Sequence, residues 1–94
     1  MASSTMPFAK FPPKYVGTLT AATNANDLED GFYYIGGDLP VNGPTGATWS
    51  FLYCISVGSL KQQYIFKPVS GIWMREYSGN PAAWQQWKHV WVET

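Results

Sequence analysis

The stretch WSFLYCISV, residues 49–57, decides the fold expected for this chain. Every second position holds a bulky apolar side chain: Trp49, Phe51, Tyr53, Ile55 and Val57. The positions between them hold Ser50, Leu52, Cys54 and Ser56. An alternation of period two is typical of a β-strand with one buried face. We therefore predict a strand whose bulky side, Phe51 included, faces the core.

Similar runs lie on both sides of this strand. Residues 31–35 form a β-type run, and residues 61–67 and 72–77 alternate after short turns rich in Gly, Pro and Ser. Residues 38–48 are rich in Gly, Pro, Asn and Thr, which predicts a long loop. The middle of the chain is therefore expected to form antiparallel hairpins.

Helix is expected only as a single turn. Residues 24–31 can support a short helical turn, because Asn and Asp are good caps and a glycine ends the segment. The stretch NPAAWQQWKHVW, residues 80–91, suits either a helical stripe or an alternating strand when judged by its residues alone. The predicted fold is mainly β: a small single-domain antiparallel β-sheet or sandwich with one short helical turn.

Length and charge limit what the chain can do. Its 94 residues suffice for one domain, and we predict a proline-rich lead-in over residues 1–16 before a β domain over residues 17–94. The formal net charge is zero with 13% charged residues, which argues against nucleic acid and anionic membranes as partners. No apolar run approaches a membrane span, and the N-terminus lacks the pattern of a secretion signal.

The residues suited to catalysis are few. His89 is the single histidine and has no cysteine, aspartate or second histidine at ligand spacing. Asp27, Glu29 and Asp30 lie in a turn-rich segment, where capping is the simpler role. Cys54 cannot form an internal disulfide and is expected to be a small buried side chain. The sequence therefore predicts a non-enzymatic protein with no cofactor and no metal.

Aromatic side chains are unusually abundant. Five Trp, six Tyr and five Phe make up 17% of the chain. A domain of this size buries only ~60–65% of its unfolded surface, while each aromatic side chain buries ~150–250 Å². We therefore expect some of these rings to face a partner or a second copy of the chain.

Several short motifs follow one another in a characteristic order from about Leu19 to Val92. They are Leu19, residues 24–28, residues 31–35, Pro40 or Pro44, residues 49–52, Gln62 or Gln63, residues 73–75 and the closing WQQWK at 84–88. This order resembles the knob domains of phage tail fibres and R-type pyocins. The resemblance implies at most one helical turn at residues 81–84, followed by a strand from about residue 87 to 92.

The resemblance also implies a function. It implies a receptor-binding or fibre-assembly module of the virion, made in the host cytoplasm, which forms a homotrimer and meets a bacterial envelope glycan or another tail protein. Binding groups are usually displayed on loops. The candidate glycan-binding residues are Asp38, Asn42, Thr45, Tyr77, Asn80, Trp84 and Gln85. Two alternatives remain: a stand-alone carbohydrate-binding domain and a structural connector without a ligand.

Overall fold

The computed structural model describes residues 14–90, which are organised around one seven-stranded sheet. The strands are β1 (Tyr15–Leu19), β2 (Gly31–Ile35), β3 (Ser50–Val57), β4 (Leu60–Lys67), β5 (Gly71–Ser78), β6 (Ala83–Trp84) and β7 (Lys88–Val90). Strands β1 to β5 lie side by side in chain order, and both β6 and β7 pair with β5. All pairs are antiparallel except β1 with β2. The predicted mainly β, antiparallel fold is confirmed.

The predicted hairpins form with long, regular registers. Strand β3 pairs with β4 from Phe51 opposite Phe66 to Val57 opposite Leu60. Strand β4 pairs with β5 in the same continuous manner. Strand β1 starts at Tyr15, two residues before the domain boundary expected from the sequence, and the rest of the predicted lead-in, residues 1–13, lies outside the described residues.

The helical turn predicted within residues 24–31 is present, but the second one is not. Ala25–Asp27 is a 3-10 helix, and the Oδ1 atom of its N-cap Asn24 accepts a hydrogen bond from the backbone N–H of Asn26 at 2.9 Å. At residues 81–84, where the resemblance implies at most one helical turn, no helix forms. Ala83–Trp84 instead form β6, because the free edge of β5 offers backbone hydrogen-bonding groups to pair with. The closing strand exists as β7, and residues 91–92 of its predicted span lie outside the described residues.

The core lies on one face of the sheet, and it is not the face predicted from β3. Leu52 is fully buried, whereas Phe51 is 39% exposed and Trp49 is 61% exposed. The buried cluster consists of Leu19, Tyr33, Ile35, Ala47, Leu52, Cys54, Ile65 and Trp73. The alternation was therefore predicted correctly and its direction wrongly.

Buried polar side chains on this face of the sheet bind the loops that cover it. The Ser50 hydroxyl donates to the carbonyl oxygen of Ala47, and the side-chain N–H of Gln63 donates to the carbonyl oxygen of Ala25 at 2.7 Å. Both side chains are fully buried and take up backbone groups of the covering loops. Cys54 is buried and free as expected, and it leaves room for these loops where a larger side chain would not.

Candidate functional site

Two tryptophans and an arginine form the most unusual cluster on the loop-covered side. Arg75 lies two residues after the buried Trp73 on β5, so both side chains point to the same side of the sheet. The guanidinium carbon lies 4.2 Å from the ring centroid of Trp84 and 4.5 Å from that of Trp87. Both distances are within the range of a cation–π interaction. We call Trp84, Arg75 and Trp87 the Trp–Arg–Trp cluster.

The two indole rings are fixed by hydrogen bonds to separate loops. The Nε1–H group of Trp87 donates to the carbonyl oxygen of Asn42 at 2.8 Å. The Nε1–H group of Trp84 donates to the carbonyl oxygen of Asn26 at 3.4 Å, and the ring meets that of Tyr77 edge-on at 5.4 Å. The closing segment is thereby attached to both loops that cover the core, and these contacts set the positions of the rings around Arg75.

Arg75 is a buried cation with no opposite charge beside it among residues 14–90. It is 8% exposed, and its Nε–H group donates to the Oε1 atom of Gln63 at 2.8 Å. Its Nη2 atom is buried and has no hydrogen-bond partner within residues 14–90. Burial lowers the pKa of Arg75 to about 10, so the guanidinium stays charged at neutral pH. The site therefore holds a positive charge that no carboxylate of the described residues neutralises.

Two open cavities lie beside Arg75. The first, about 380 Å³, is lined by Asn26, Asn42, Gly43, Arg75, Trp84, Gln85, Gln86 and Trp87. The second, about 360 Å³, is lined by Gln62, Tyr64, Met74, Arg75, Glu76, Gln85, Gln86 and Lys88. The two share Arg75, Gln85 and Gln86. We call the first the amide cavity, because four of the eight residues that line it carry carboxamide side chains.

The structure brings together some of the residues predicted to bind a glycan. Asn42, Trp84 and Gln85 line the amide cavity, and Tyr77 contacts Trp84 from the side. Asn42 and Gln85 already use their amide N–H groups, which donate to Asn24 Oδ1 and to the carbonyl oxygens of residues 78 and 83. The remaining predicted residues, Asp38, Thr45 and Asn80, are exposed and line neither cavity.

Sequence reasoning missed the residues with unused polar groups. Arg75, Asn26 and Gln86 were not selected, although all three line the amide cavity. One signal for Arg75 was available in the sequence. It stands two positions from Trp73 on an alternating strand, so a charged residue shares a face with a large apolar one. A charge at such a position is expected to be either paired or functional.

The opposite side of the sheet carries a second candidate surface. Two rows of side chains cross the strands in register. The first row is Tyr15, Phe32, Tyr53, Tyr64 and Met74, and the second is Tyr34, Phe51, Phe66, Ile72 and Val90. We call these ten residues the aromatic face. Ring contacts join neighbours within and between the rows, such as Phe32 with Phe51 at 5.3 Å.

Within residues 14–90, several side chains of the aromatic face are exposed to solvent. Phe51 and Phe66 are each 39% exposed and Val90 is 49% exposed. Strands lie ~4.8 Å apart and side chains on one face recur every ~6.8 Å along a strand, so ten such side chains cover roughly 330 Å² in projection. An apolar surface of this size on a small protein commonly marks an interaction site.

His89 and Asp30, which are not expected to be catalytic, contact other groups of the chain. The ring of His89 stacks on Trp73 at 4.0 Å, and its Nε2 atom is 2.8 Å from the carbonyl oxygen of Ser70. Asp30 accepts hydrogen bonds from the backbone N–H and the hydroxyl of Ser56. Within residues 14–90 no cluster of three or more His, Cys, Asp or Glu side chains is arranged to hold a metal ion. The described segment also has no helix with the length and apolarity of a membrane span.

Comparisons with family models, with curated proteins and with solved structures find no match to this chain.

Proposed function

We propose that this chain is a non-enzymatic knob-like module of a phage tail fibre that assembles with copies of itself, as a trimer, and recognises the bacterial envelope. The observation that carries the proposal is the open aromatic face. One side of the sheet is covered by the chain's own loops, and the other carries ten large side chains, of which four are exposed and six are half-buried within residues 14–90. The motif order that resembles tail-fibre knobs supports the same function.

A second copy of the chain is the occupant that fits this face best. Stable complexes bury ~800 Å² of accessible surface per partner, so the roughly 330 Å² of the aromatic face would form the centre of an interface that also takes in neighbouring side chains. The ten residues are uncharged, and Lys88, which follows Met74 in the first row on β7, places a charge only at the edge of the face. The zero net charge of the chain favours self-association for the same reason.

Assembly through the aromatic face leaves the amide cavity and the Trp–Arg–Trp cluster directed away from the partner copy. Their side of the sheet carries the long loop of residues 36–49, and loops are where binding groups are usually displayed. Tryptophan rings and carboxamides suit a glycan, which presents both hydroxyls and an apolar C–H face. The proposed receptor is therefore a glycan of the bacterial envelope, bound on the loop-covered side.

A charge placed on the aromatic face tests the assembly. Phe66→Lys puts an ammonium in the middle of the second row, and Thr45→Lys adds the same charge on an exposed loop outside both cavities. Sedimentation velocity is expected to show an oligomer for the wild type and for Thr45→Lys, and a monomer for Phe66→Lys. An oligomer that tolerates Phe66→Lys would place the subunit interface elsewhere.

One specific observation favours the second candidate, a stand-alone carbohydrate-binding domain. The amide cavity is formed within a single chain and needs no second copy to complete it. A monomer that binds envelope polysaccharide would establish this candidate. An oligomer that binds no envelope component would instead leave the role of a structural connector.

A further inference from the structure

The amide cavity contains two polar atoms whose hydrogen-bonding capacity is unused. The Nη2 atom of Arg75 is a donor and the Oδ1 atom of Asn26 is an acceptor, and both are buried without a partner within residues 14–90. Leaving a buried polar atom unpaired costs about 1–3 kcal/mol, and more for a charged group. Both residues line one cavity, and a small movement of their side chains would let a ligand there supply the missing acceptor and donor.

The charge of Arg75 decides which acceptor is preferred. Its guanidinium is held between two indole rings and by one amide, so its charge is positioned but not neutralised. A carboxylate would neutralise it and accept charge-assisted hydrogen bonds, which are about twice as strong as neutral ones. A neutral hydroxyl would leave the buried charge uncompensated.

We propose that the amide cavity binds an acidic sugar, whose carboxylate contacts the guanidinium of Arg75 and whose adjacent hydroxyl donates to Oδ1 of Asn26. The inference deepens the proposed function and rests on it, because it names the class of glycan that this side of the sheet would take. Uronic acids have the required chemistry, since a ring hydroxyl neighbours the carbon that carries their carboxylate. Gln86 is exposed at the cavity wall and adds a carboxamide for a further hydroxyl.

A matched pair of ligands tests the carboxylate. Methyl glucuronide and methyl glucoside differ only in a carboxylate replacing a hydroxymethyl group. Titration of each into the full chain is followed by NMR through the indole N–H signals of Trp84 and Trp87. We expect the glucuronide to bind at least about tenfold more tightly, as one charge-assisted hydrogen bond implies. Equal affinity for the two ligands would overturn the inference while leaving glycan recognition in place.

Acetate serves as the third ligand, because it carries the carboxylate without the sugar. If acetate binds as tightly as the glucuronide, the cavity recognises a carboxylate without a sugar, and the proposal of an acidic sugar is overturned. If none of the three ligands shifts the indole signals, the inference is overturned as well. The oligomeric mass judges the proposed assembly separately, so the two failures are distinguishable.

Two variants locate the binding in the amide cavity. Gln86→Glu adds a negative charge on an exposed side chain of the cavity, where it contributes nothing to the core. Asn26→Asp adds one in place of the unpaired acceptor. Both are expected to weaken glucuronide binding by at least about fivefold through repulsion of its carboxylate. Ser59→Glu adds the same charge on the exposed turn between β3 and β4, outside both cavities, and is expected to leave the affinity unchanged.

The test does not require both variants to fold. Asn26→Asp is expected to keep or raise the melting temperature, because its carboxylate lines the cavity beside Arg75. If it fails to fold, Gln86→Glu still decides the outcome. Unchanged glucuronide affinity in Gln86→Glu would overturn the inference.

Discussion

Truncation of two neighbouring residues of β3 tests which face of the sheet is the core. Leu52 is fully buried between Tyr33 and Ile65 on the adjacent strands, and Phe51 is 39% exposed on the aromatic face. Leu52→Ala leaves a cavity that the sheet cannot close, and it is expected to lower the free energy of unfolding by about 3–5 kcal/mol. For a domain of this size that is a large part of the total.

Phe51→Ala is expected to cost less, even though phenylalanine is the larger residue. A fully enclosed aromatic side chain buries ~150–250 Å², and Phe51 loses contact with water over only three-fifths of its surface. Alanine keeps part of that contact, and water fills the space that the ring leaves. At ~25 cal/mol per Å² this buried area corresponds to about 2–4 kcal/mol, and the part that alanine retains lowers the expected loss to about 2 kcal/mol, without a cavity penalty.

Asparagine at the same two positions widens the difference. Leu52→Asn buries an amide without partners and is expected to unfold the chain, whereas Phe51→Asn exposes its amide to water and is expected to cost about as much as alanine. Urea denaturation at several protein concentrations separates folding from assembly, because only assembly depends on concentration. A larger loss for Phe51→Ala than for Leu52→Ala would show that the faces are reversed.

Three further predictions follow from the packing. Gly31→Ala is expected to displace β1 or to lower the free energy of unfolding by several kcal/mol, because its Cβ would lie 2.9 Å from a backbone carbonyl oxygen at a φ of +154°. The control Gly36→Ala meets only ordinary contacts and is expected to melt within a few degrees of the wild type. Burial raises the pKa of the Cys54 thiol above its ordinary 9.0, so the unfolded chain releases this proton first. The free energy of unfolding should therefore fall as the pH rises above about 9, with a shallower slope in Cys54→Ala. Trp87→Phe keeps an aromatic ring but removes an indole hydrogen bond of 2.8 Å, and urea denaturation is expected to show a loss of about 1 kcal/mol.

The strands could be predicted from the sequence because alternation depends only on neighbours in the chain. The buried side of β3 could not, since both of its sides carry large apolar groups. The side was decided by the covering loops, whose backbone groups are bound by Ser50 and Gln63. A hydrogen bond from Gln63 to Ala25, which lies 38 positions away, has no signature in local sequence.

The candidate site was predictable to a similar extent. Candidates were chosen from both the long loop and the closing segment, and the structure brings Asn42 and Trp84 together in the same cavity. The importance of Arg75 depends on having no carboxylate near it, and that follows from how distant segments pack rather than from its own strand. Asp38 and Thr45 were chosen for their chemistry, but the path of the loop leaves them outside the cavity.

The native mass of the wild-type chain is the most direct test of the proposed assembly. Sedimentation equilibrium over a range of concentrations would measure it against the 10.5 kDa of one chain. A trimer that covers the aromatic face predicts three times this mass, with protection of Phe51 and Phe66 from solvent in the assembled state. A strict monomer at every concentration, with both rings still exposed, would contradict the account.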